Sequence, residues 1–104
     1  MRKISQNLLS RLHDATMRII VLDYATGAVT IGLRPSGYGT PAAELSAFDF
    51  TALRLPRSEP WGQSTSVNKA TISERDGHGV SLLLQLQSGD ELVIEAKDFE
   101  MNRG

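Results

Sequence analysis

The chain has 104 residues, of which 40% are hydrophobic and 22% charged, and 11 basic against 12 acidic side chains leave a formal charge of −1. That length supports one hydrophobic core in one domain, 1–104, and the even charge with no block of like sign argues against binding a nucleic-acid backbone. Cysteine is absent, which excludes disulfides and thiolate metal sites, and no stretch approaches the ~18 apolar residues of a membrane span.

Ile4, Leu8, Leu9 and Leu12 recur at helical spacing with polar residues between them, so residues 4–13 are expected to form a short amphipathic helix. It would be only about 15 Å long and would need a surface to dock on. Ser5, Gln6 and Asn7 interrupt any signal-peptide core, so a cytoplasmic location is expected.

From Thr16 the period changes to two, and 16–99 reads as antiparallel strands. Thr16 to Tyr24 and Ala28 to Arg34 flank Ala25-Thr26-Gly27, a three-residue hairpin loop. Pairing Tyr24 with Ala28 sets Val21 against Ile31 and Ile19 against Leu33 on the core side. Ile20, Leu22 and Tyr24 then stay apolar on the second face, and Gly32 leaves a hollow beside Ile20. Pro35 to Pro41, containing Tyr38, is a loop. Ala43 to Leu55 changes apolar parity between Phe50 and Leu53 and reads as one long strand with a bulge or as two short ones.

A second loop, Pro56 to Ser66, precedes strands Val67 to Arg75, Val80 to Gln87 and Glu91 to Phe99. Pairing Gln87 with Glu91 gives one apolar face through Leu82, Leu84, Leu86, Leu92, Ile94 and Ala96, with Ile72 facing Leu82 and Ala70 facing Leu84. Leu83 and Val93 remain on the other face. The expected fold is mainly β, an α+β protein with one short N-terminal helix. Its five or six strands form an antiparallel meander, curled like a sandwich or into a partly closed barrel.

Little in the sequence carries chemistry. Its two histidines lie at a helix end, His13, and in a Gly-flanked turn, His78, neither in a nucleophile-elbow context. His13-Asp14 and Asp76-Gly77-His78 each fall short of the three ligands a zinc site needs, so no metal or cofactor is expected. Gly37-Tyr38-Gly39 lacks the third glycine and the lysine of phosphate-binding loops. Asp23, opposite Val29 in the register above, is the carboxylate whose placement most needs explaining. In the second loop, Trp61 is either a plug under the sheet end, the reading its size favours, or an exposed anchor for a partner. Glu59, Ser64 and Tyr38 are its candidate companions in a binding site.

His13-Asp14-Ala15, Phe48-Asp49-Phe50 and Ser58-Glu59-Pro60-Trp61-Gly62, with Ser64, Ser66 and Asn68, look like small uncharacterised bacterial β-rich proteins, some resembling toxin-immunity proteins. The resemblance implies a cytoplasmic, cofactor-free protein that works by binding another protein. A charge of −1 departs from the strongly acidic character such proteins often have. The sequence therefore favours a non-catalytic protein-binding module, an immunity or accessory protein. Ile20, Leu22 and Tyr24, and separately Leu83 and Val93, are its candidate interface for a partner or a second copy; the N-terminal helix is the simplest cover for the first group. The rival readings are a small ligand-binding or enzymatic barrel with a pocket near Trp61, and a structural homo-oligomeric subunit.

Overall fold

In the computed structural model, residues 2–3, 6–35, 42–75 and 79–103 are described. Seven strands and one helical turn follow in the order β1 (Arg2–Lys3), α1 (Gln6–Ser10), β2 (Thr16–Asp23), β3 (Ala28–Arg34), β4 (Ala43–Arg54), β5 (Val67–Arg75), β6 (Gly79–Leu86) and β7 (Glu91–Arg103). Six strands form one antiparallel sheet in the order β2-β3-β4-β7-β6-β5, and β1 pairs with the far end of β7. Two three-stranded meanders thus lie side by side. They are joined by the long β4–β7 pairing, which runs from Ala43 opposite Arg103 to Arg54 opposite Val93.

The simple sequential meander is corrected by this order, because residues 55–66 carry the chain from β4 past β7 and β6 to the far edge. The partly closed barrel is corrected as well. The sheet is open, and its edge strands meet only at their starts, where Met17 N–H donates to the Thr65 carbonyl and Val67 N–H to the Ala15 carbonyl, at 2.8 and 2.7 Å.

One face holds the core. Val29, Ile31 and Leu33 on β3, Leu45 and Ala47 on β4, and Leu82, Leu84, Ile94, Ala96 and Phe99 on β6 and β7 are all buried. Each set keeps the period of two that half-buried strands require, except for the step of three from Ala96 to Phe99 on β7. Leu9, Leu12 and Ala15 complete the cluster from the N-terminal segment.

The ten-residue helix expected over 4–13 does not form among the described residues. A single turn, Gln6–Ser10, replaces it, followed by turns through Asp14. So short a helix has little stability of its own, and the burial of Leu9 and Leu12 holds the segment. Nor does it cover Ile20, Leu22 and Tyr24: it packs along β5.

The first hairpin departs from its expected register by one residue. Asp23, not Tyr24, pairs with Ala28, so the loop has four residues, Tyr24 to Gly27. Gly27 takes φ of 75° and packs on β4, where an added Cβ would sit 3.2 Å from the Asp49 Cα; its carbonyl accepts the Phe50 N–H. A one-residue shift exchanges the faces of a strand. Ile20 therefore faces Ile31 on the core side while Ile19 and Val21 face outward, and it is Ile19, not Ile20, that lies over Gly32. A bulge between Met17 and Ile19 follows in the same strand. At the β6–β7 hairpin the shift is two residues, Gln85 opposite Glu91, which preserves every face. The bulge in β4, between Phe50 and Ala52, and the Ala70–Leu84 and Ile72–Leu82 pairs stand as expected.

Candidate functional site

The 55–66 crossover is the longest described connection, and it is held from below by the β6–β7 turn. Asp90 and Ser88 are buried there. Asp90 Oδ1 accepts the Ser58 N–H and the Ser58 hydroxyl, and Oδ2 accepts the Glu59 N–H and the Ser88 hydroxyl, each at 2.9 Å. Four acceptor positions meet four donors, so the carboxylate is saturated. Burial works against its charge, but the hydrogen bonds from Ser88, Glu59 and Ser58 outweigh that and hold the Asp90 carboxyl below its ordinary range. Asp90 is therefore an anchor for the loop rather than an acid or base. Its signal in the sequence was faint: Ser88-Gly89-Asp90 reads as a turn, and nothing local says that its carboxylate will collect another loop's amides.

Trp61 follows from this anchoring. Its backbone N–H donates to the Ser88 carbonyl at 2.8 Å, and its ring lies against Gly89, where an added Cβ would meet the indole at 2.8 Å. The side chain is nonetheless 69% exposed, which corrects the core plug. Tyr38 lies outside the described residues, as do Asp76 and His78.

Glu59 and Ser64 come together at a cavity of about 430 Å³, although Trp61 does not line it. Met17 and Ile20 of β2, Leu86 and Leu92 of the second meander, and Leu55 and Arg57 of the crossover are its other main walls. Glu59 has a half-buried side chain, 18% exposed, and its Oε1 is 3.8 Å from the Arg57 guanidinium, which is 84% exposed. Its backbone φ of 53° is left-handed, a conformation held by the bond from its N–H to Asp90. The Ser64 hydroxyl accepts the Ser66 N–H at 3.2 Å.

The five candidate interface residues separate. Ile20 and Leu22 share the core side of β2, Ile20 packed against the core and Leu22 about half exposed. Tyr24 protrudes from the hairpin, its ring and that of Phe50 inclined at 63° with centroids 6.0 Å apart. Leu83 and Val93 pair directly across β6 and β7 on the opposite face, half-buried, so they do not form one surface with the β2 group. Ile19 and Val21, assigned to the core by the sequence register, join Leu22 and Tyr24 as exposed apolar side chains.

The other edge of the sheet is finished differently. The Gln6 side-chain amide donates to the Ala70 carbonyl at 2.9 Å and accepts the Ile72 N–H at 3.1 Å, standing in for a neighbouring strand along β5. His13 Nδ1 lies 2.7 Å from the Asn68 carbonyl, and its Nε2 is 3.6 Å from Asp14. His13 thus serves the edge of β5 rather than a helix terminus. Asp23 is equally local, its carboxylate accepting the Thr26 N–H in the hairpin turn at 3.2 Å. No cluster of three or more metal-ligating side chains occurs among the described residues, and no described helix is long and apolar enough to cross a membrane.

Compared with known proteins, the chain matches no family model, no curated protein and no solved structure.

Proposed function

We propose that this chain is a non-catalytic protein-binding module that takes an extended, apolar segment of a partner onto the free edge of β2. One observation carries the reading: β5 is capped by side chains of its own chain, whereas β2 beyond Met17 has no such cap among the described residues and exposes Ile19, Val21, Leu22 and Tyr24 beside its edge. An unpaired strand edge offers backbone donors and acceptors in register for an added strand, and the side chains around it supply selectivity. Arg18 and Asp23 bracket the four-residue apolar run Ile19-Ile20-Val21-Leu22. The complementary segment is therefore apolar, with an acidic residue near Arg18 and a basic one near Asp23. An immunity or accessory role in the cytoplasm is the biological form of this reading.

The test is capture from host lysate by the wild type and by Val21→Lys, followed by amide exchange on the reconstituted pair. A partner lost in Val21→Lys, with residues 19–22 newly protected in the complex, supports strand addition. Protection that maps elsewhere, or capture indifferent to Val21→Lys, refutes it. A concentration-dependent dimer abolished by Leu22→Glu would replace the partner with a second copy of the chain.

A further inference from the structure

We propose that the cavity between β2 and the crossover binds a small amphiphilic cation, an ammonium or guanidinium group on an apolar alkyl or aryl body. The site lies on the core side of β2, where Ile20 is part of its lining, rather than along the strand's backbone edge, and the proposal goes beyond the binding of a partner strand.

Size is the first argument. At about 430 Å³ the cavity falls inside the ~300–1,000 Å³ range of small-molecule sites. The second is its lining. Leu86 and Leu92 are buried side chains of the core, Met17 and Ile20 are packed against that core, and all four face the space with no polar group of their own. An apolar body placed against these four loses water on that side.

Charge selects the head group. Glu59, Asp90 and Arg57 are the charged residues of the lining, two carboxylates against one guanidinium. Asp90 already accepts four hydrogen bonds and has no capacity left for a ligand. Glu59 differs: it is shielded from solvent, yet its ion-pair partner sits 3.8 Å away on a side chain that is 84% exposed. Such a pair is worth little, so a ligand cation can take the place beside Glu59 while Arg57 swings into water. An anionic ligand would meet the opposite situation, facing two carboxylates and a guanidinium whose weight lies outside. Leu55, 42% exposed, is part of the lining.

Three probes of one shape separate charge from fit: phenylbutylammonium, the neutral phenylbutanol and phenylbutyrate. Each is titrated into the protein at neutral pH and followed by methyl resonances of Met17, Ile20 and Leu92. The ammonium is expected to shift those methyls and to bind roughly tenfold or more tighter than the carboxylate, with the alcohol between them. Glu59→Gln should bring the ammonium down to the level of the alcohol; the backbone N–H that holds Asp90 is retained in that variant. Leu55→Trp, a change at an exposed position, should block all three probes while the thermal midpoint stays near wild type. The proposal is overturned if the carboxylate binds as well as the ammonium, or if Glu59→Gln leaves the order of the probes unchanged. It is overturned too if no probe moves those methyls at concentrations on the order of 10 mM, where even a weak fragment site fills.

Discussion

The two edges of this sheet are built from similar strands and end in opposite conditions. Along β5 the chain spends its own N-terminal segment: Leu9 and Leu12 are buried, and that docking positions Gln6 and His13 to occupy backbone groups at Ala70, Ile72 and Asn68. Along β2 the finishing among the described residues is the bulge at Met17–Ile19 and the short bridge to Ser66, after which Ile19, Val21 and Leu22 are exposed up to the hairpin while Ile20 packs against the core. Bulges and charges are common ways to protect an edge, and here they bracket the run without interrupting it. The comparison teaches which edge is closed to further pairing by its own chain and which is left open to it.

The largest expected effect comes from removing the cap of β5. Leu9→Ala should cost about 2–5 kcal/mol of stability, measured by urea unfolding, because a fully buried leucine leaves a cavity. It should also release Gln6, so that β5 amides exchange as an uncapped edge does and the two edges become alike.

Asp90→Asn comes next, since it places an amide NH₂ among groups that all donate. The crossover should loosen at neutral pH, seen as a lower thermal midpoint and a Trp61 emission shift. The wild-type carboxyl titrates below its unfolded value, so the stability it contributes is fully present above about pH 4 and is lost as pH falls through that range toward the lower folded value. Wild type and variant should therefore converge in acid. A difference that persists well below pH 4 would mean that the carboxylate is not the anchor.

Gln6→Ala removes two hydrogen bonds at an exposed position and should cost about 1 kcal/mol, with the Ile72 amide exchanging faster. Val21→Lys should change stability least, by roughly 0.5 kcal/mol or less, because the side chain is already in solvent. Its effect belongs to partner binding alone, and a large loss of stability would show that β2 is not the bare edge described above.

What the sequence reveals follows the same division. The β5–β6–β7 half is legible because its apolar alternation is strong, and placing the turn at Ser88-Gly89-Asp90 when Leu86 already bonds to Asp90 shifts the register by two, an even number that leaves Leu82 to Ala96 on the core side. The β2–β3 hairpin is illegible for the converse reason. Met17 to Leu22 is apolar at nearly every position, so alternation cannot choose a face, and a single residue in the turn length moves Ile19 and Val21 from the expected core to solvent. That failure marks the region singled out for binding: an edge strand apolar on both faces has no preferred parity to detect. Trp61 and Glu59 were visible as loop residues, but their placement depends on Asp90, which lies 31 positions from Glu59 along the chain.

The most direct test is residue-resolved amide hydrogen exchange on the free protein at a concentration where sedimentation shows a monomer. Along Ile19–Leu22 the amides directed away from β3 should exchange at nearly the rate of an open chain, while the capped amide of Ile72 on β5 should be protected. Equal protection of the two edges in the monomer would contradict the account, since β2 would then already have the partner that the binding role requires it to lack.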